Sequence, residues 1–126
     1  MSIKTGKKVL LIGLKSDAVD FEKWPQLTKE KLEAAFVQVV SELNENGYDA
    51  TWCLTDRGET AKEQVEDALL EYTPDIVLVG AGVRTDPDHF LLFETLINII
   101  HKNAPKAKIA FNTLPYDTLE SVQRWG

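Results

Sequence analysis

Cysteine, basic charge and long apolar runs are all scarce in this chain of 126 residues. The one cysteine, Cys53, has no internal partner, so no disulfide framework supports the fold and a reducing cytoplasm is the expected compartment. Behind the basic start Met1–Lys8 stand only Val9-Leu10-Leu11-Ile12. That run is too short for a signal-peptide core of roughly 7–15 residues or a membrane span of ~20, so no membrane partner is expected. Fourteen Lys and Arg face 20 Asp and Glu, a formal net charge of -6, and no dense basic stripe offers a nucleic-acid face. Lys4, Lys7 and Lys8 fall on or beside residues 1–7, read as a frayed and solvated end. Familiar nucleotide signatures are missing too. No Gly-Lys-Ser/Thr P-loop and no Gly-x-Ser-x-Gly elbow occurs. The turn Gly80-x-Gly82-x-x-Thr85 lacks a third glycine, and Leu14-Lys15-Ser16-Asp17 is no Ser/Thr/Gly phosphate loop. NAD and FMN therefore have no motif here. A receiver domain would end its third strand in aspartate, and Gly80 stands there.

What is present is an alternation of strands and helices within a length that suits one domain. The continuous apolar run Val9–Gly13 reads as a strand covered on both faces. A helix is expected from Lys29 to Asn46, with Leu32, Ala35, Phe36, Val39, Val40 and Leu43 on one face. Thr28 is its N-cap and Gly47 its left-handed stop. Tyr48–Leu54 alternates, as an edge strand does. Thr60 and Glu63 form a capping box for a helix that stops before Pro74. The third strand is Ile76–Val79, and its helix is expected to start at Asp86-Pro87. That helix, residues 87–103, carries a wide apolar face from Phe90 to Ile100, which suits either a wedge between neighbours or a homodimer surface. Lys108–Phe111 is the fourth strand, and Asp117 with Glu120 suggests a second capping box before a short last helix. Four βα units with right-handed crossovers give an α/β domain over residues 1–126. Its open parallel sheet is expected in the order 2-1-3-4 with helices on both faces, flavodoxin-like or Rossmann-like in outline.

In such a sheet the crevice lies beyond the strand carboxyl ends, at the switch point between the first and third strands. Glycines at Gly80 and Gly82 let a ligand approach the backbone, and Arg84 adds a fixed cation. Lys15, Ser16, Thr85, Asn112 and Thr113 also fall just past strand ends, a set suited to a small anionic molecule such as a carboxylate or phosphate. The loop of residues 14–27 is longer than the usual 2–6, and its Phe21 and Trp24 make it a ligand lid or a structural flap. His89, at a helix start, is the candidate acid or base of an enzyme on phosphorylated or carboxylated metabolites. Asp86, Asp88 and His89 could meet a metal, but acidic helix starts are ordinary caps and no metal site is assigned.

Three stretches together resemble a family of small uncharacterised bacterial cytoplasmic proteins: Lys15–Phe21, Gly80–Thr85 with His89–Glu94, and Phe111–Thr113 with Val122–Trp125. The resemblance spans nearly the whole chain. It implies a free-standing bacterial domain and brings no activity, cofactor or catalytic residue with it. Three functions are expected on the residues alone: binding of an anion at the crevice, an enzyme using His89, or a protein–protein interaction module using the helix at 90–100.

Overall fold

The structure is a computed structural model and describes residues 6–19, 21–23, 28–56, 58, 60–84, 89–113 and 117–125. Strand β1 (Lys8–Leu14) runs between β2 (Asp49–Thr55) and β3 (Ile76–Val79), and β4 (Lys108–Phe111) forms the far edge. All three pairings are parallel, so the sheet has the expected order 2-1-3-4 and β2 is an edge strand. Helices α1 (Lys29–Glu45), α2 (Ala61–Tyr72) and α4 (Phe90–Asn103) join the strands and α5 (Thr118–Gln123) follows β4, with a single helical turn, α3 (Ala81–Arg84), directly after β3.

The alternation of side chains along β1 explains the three layers. Leu10, Ile12 and Leu14 enter one core with Val65 and Leu69 of α2 and Leu96, Ile99 and Ile100 of α4. Val9 and Leu11 enter the other, with Val39 and Leu43 of α1 and Val122 of α5. Because successive residues point to opposite faces, a strand apolar at every position can only be stable between two helical layers. Each fully buried Leu or Ile contributes about 1.5–3 kcal/mol of transfer free energy.

Helix α1 begins and ends as its sequence requires. The Thr28 hydroxyl accepts the Lys31 N–H at 3.2 Å, and Gly47, at φ 91°, takes the left-handed position past the last turn. The two expected capping boxes are different. Thr60 makes no side-chain cap bond; its N–H and hydroxyl both donate to the Asp56 carboxylate, the hydroxyl at 2.6 Å. Asp117 makes none either, and its carboxylate accepts the N–H and hydroxyl of Thr113. In both places a threonine and an aspartate four residues apart pair instead: Asp56 draws Thr60 away from capping, and Asp117 spends its own carboxylate on Thr113. Helix α2 ends at Tyr72 and is followed by Thr73 in the left-handed region at φ 47°, ahead of Pro74.

The wide apolar face of α4 is spent mostly inside the fold. Leu92, Leu96, Ile99 and Ile100 are buried, and Phe93 packs on Phe111 of β4 with ring centroids 5.9 Å apart. Only Phe90 and Leu91, at its start, are left exposed among these large side chains. Ile100 is wholly enclosed, so Ile100→Glu reports on folding rather than on docking. At the opposite end of the chain, Gly6 donates to the Gly47 carbonyl and the Lys7 carbonyl accepts from Asp49, which attaches residues 6 and 7 to the edge of the sheet.

Candidate functional site

Parallel pairing brings the segments after β1 and β3 together at the carboxyl edge. Ile12 and Val79 are register partners, and the Gly80 N–H donates to the Ile12 carbonyl at 2.9 Å. A Cβ on Gly80 would come within 3.3 Å of that same oxygen, so glycine there lets the chain leave β3 close against β1. The residues that follow are not an open glycine turn. They wind into α3, with the Gly80 carbonyl accepting from Val83 and Arg84. Gly82 differs from Gly80: no described atom lies within 4 Å of a Cβ built there, so packing does not call for glycine.

Arg84 ends this turn over the β4 side. Its Nη2 donates to the Asn112 carbonyl at 2.8 Å, and its guanidinium lies 5.7 Å from the centre of the Phe111 ring. The Nε is buried and has no hydrogen-bond partner among the described residues. Neither is Arg84 paired with a carboxylate among them; Asp17 is bound to Lys29, and Asp86 lies outside the described residues.

Asn112 is turned inward. It is 4 % exposed, its Oδ1 accepts the Ala81 N–H at 2.8 Å, and its Nδ2 donates to the Thr118 hydroxyl at 3.0 Å. Thr113 is exposed and held by Asp117. His89 occupies the residue before α4 rather than its first turn. It is 5 % exposed, with Nδ1 3.3 Å from the Gly82 carbonyl, so Nδ1 carries the hydrogen in that contact.

The β1 side is built from α1. Ser16 starts a short 3-10 turn (Ser16–Ala18), is buried, and donates its hydroxyl proton to Glu33 at 3.0 Å. Asp17 and Lys29 pair at 2.7 Å in full exposure to solvent. The Lys29 hydrogen bond and charge hold the Asp17 carboxyl below the usual range, and Asp17 raises Lys29 in return. Lys15 is exposed, its N–H spent on the Thr55 carbonyl. Further along, Val19 packs on the core shared by α2 and α4. The segment therefore crosses the sheet edge, tied to α1 at one end and resting on the opposite layer at the other. Phe21, in a second 3-10 turn (Phe21–Lys23), is half-buried. Trp24, Thr85, Asp86, Pro87 and Asp88 lie outside the described residues.

Three residues important to this edge escaped sequence reasoning: Glu33, which accepts the Ser16 hydroxyl hydrogen bond, Phe111, which faces Arg84, and Thr118, which anchors Asn112. Glu33 lies on the solvent side of a regular helix and Thr118 at the start of another, so neither has a spacing signal. Cys53 is half-buried, and desolvation pushes its thiol pKa up. No group of three or more His, Cys, Asp or Glu placed to hold a metal occurs among the described residues. No protein-family model and no curated protein matches the chain, so the chemistry of this edge rests on its own geometry.

Proposed function

We propose that the chain is a small cytoplasmic α/β domain that binds a small anionic molecule at the carboxyl edge, between the segments following β1 and β3. Arg84 carries the reading. Its guanidinium is half-buried, spends one Nη2 hydrogen on a neutral carbonyl, and has no carboxylate partner among the described residues. A partly desolvated cation without a counterion is unfavourable by up to several kcal/mol, and a carboxylate or phosphate arriving from solvent relieves that. Gly82 supports the same reading, because a backbone without a Cβ and without a packing reason leaves room for close approach. Lys15 supplies a second, solvated cation.

The remaining residues of the crevice take narrower roles. Ser16 spends its hydroxyl hydrogen on a hydrogen bond to Glu33 and offers a ligand only lone pairs. Gly80 and Asn112 shape the edge from inside. A second copy docking on α4 has Phe90 and Leu91 to use, at 62 % and 73 % exposure.

Thermal unfolding with inorganic phosphate, citrate and nucleotides, each against chloride at equal ionic strength, tests the proposal. A ligand at about 100 times its Kd adds about 2.7 kcal/mol, several degrees for a domain of this size. The shift is expected to vanish in Arg84→Ala; a shift that survives in that variant overturns the assignment.

A further inference from the structure

Asn112 joins three elements. It follows β4, its side-chain oxygen holds the first N–H of α3, and its side-chain nitrogen holds the Thr118 hydroxyl at the start of α5. With both ends of the amide engaged and the residue 4 % exposed, the side chain has one orientation. The main-chain carbonyl of the same residue is the acceptor for Arg84 Nη2. Arg84 closes the turn whose first N–H is bound by Asn112, so one residue holds both ends of that turn, its first N–H and the guanidinium of its last residue.

We propose that Asn112 is the positioning residue for Arg84: it sets the direction of the guanidinium at the carboxyl edge and touches no ligand itself. The role in binding rests on the anion site proposed above, while the positioning of Arg84 stands without it. A replacement that keeps the Asn112 carbonyl but removes the amide frees the α3 turn and lets that carbonyl rotate. The guanidinium then samples solvent, and its affinity for an anion falls even though every charge is still present. Trp52, whose Nε1 donates to the Phe36 carbonyl at 2.9 Å on the α1 side, lies outside this network and serves as an internal control.

The experiment is hydrogen exchange of the Arg84 Nε–H by NMR, its signal assigned by its disappearance in Arg84→Lys. In Asn112→Ala the Arg84 Nε–H is expected to exchange at least about tenfold faster while the Trp52 Nε1–H is unchanged. Equal Arg84 rates in the two proteins overturn the proposal, and so does an equal acceleration of Trp52, which would signal general loosening. Should Asn112→Ala fail to fold, Thr118→Val decides, since it removes only the partner of Nδ2; a smaller but selective acceleration supports the role and none refutes it. Phosphate titration of the same proteins separates the two claims. Wild type without phosphate affinity defeats the anion site while leaving the exchange result to decide on positioning, and undiminished phosphate affinity in Asn112→Ala defeats the role of Asn112 in binding.

Discussion

The two halves of the carboxyl edge handle charge in opposite ways. On the β1 side, acids meet donors: Asp17 pairs with Lys29 in the open, and the exposed Glu33 accepts from the buried Ser16 hydroxyl. On the β3–β4 side, a half-buried Arg84 is given a carbonyl, an aromatic face and no carboxylate among the described residues. Exposed pairs are cheap to make and contribute little to stability. A partly desolvated cation held only by neutral groups is unfavourable by itself. The comparison therefore separates a side that fastens a loop from a side that holds a half-buried cation with neutral groups.

The largest expected effect comes from the buried side. Asn112→Ala leaves the Ala81 N–H without its acceptor inside the fold and is expected to lower stability by about 2–3 kcal/mol, measured by urea unfolding. A loss below a few tenths would erase the contrast between the halves. Ser16→Ala on the other side removes a single hydroxyl bond to an exposed carboxylate, and about 1 kcal/mol or less is expected in the same assay.

Smaller still are the effects of pH. With Asp17 lowered and Lys29 raised, the pair stabilises the fold above the usual carboxylate range and below the usual lysine range. Its contribution fades as pH falls through the Asp17 value or rises through the Lys29 value. Both groups are fully solvated, so Asp17→Asn is expected to leave the midpoint of thermal unfolding within error of wild type between about pH 5 and 9. A clear drop in that window would show the β1 side to be more than a fastening. The amino edge of the sheet supplies a further contrast. Tyr72 donates its hydroxyl to the Asp49 carbonyl at 2.6 Å, and desolvation, with the Asp49 charge next, pushes its pKa up to about 12. The folded state thus resists losing that proton, and stability is expected to fall as pH rises from the ordinary tyrosine value of about 10 toward 12. Tyr72→Phe should show a shallower decline over that range, followed by circular dichroism.

The sequence carried the sheet order because two-sided apolar runs and short connections leave few alternatives. β3 and β4 lie at Ile76–Val79 and Lys108–Phe111, where their apolar residues are bounded by Asp75 and Gly80 and by Lys108 and Asn112. Local chemistry was less legible. Thr60 and Asp117 have the spacing of capping boxes, yet each is drawn to a partner four residues away on the loop side, a competition that spacing alone does not rank. The glycines after β3 signalled a turn, and only the approach of the Ile12 carbonyl explains why Gly80 is needed where Gly82 is not. Arg84 stood out as a cation past a strand end, but its burial against Phe111 and its tie to Asn112 depend on β4, which arrives 24 residues after it (108 − 84). Asn112 looked like a ligand contact for the same positional reason, and its inward turn follows from two partners, Ala81 and Thr118, on separate elements.

The central claim is that an anion meets Arg84 beside Gly82, and an NMR titration of the folded protein with inorganic phosphate tests it most directly. Saturable shifts confined to the Gly82 amide, the Arg84 Nε–H and their neighbours, absent in Arg84→Ala, are the predicted result. Shifts centred on the Ser16–Glu33 side, or no saturable shift at Gly82 and Arg84 with phosphate, citrate or nucleotide, would contradict it.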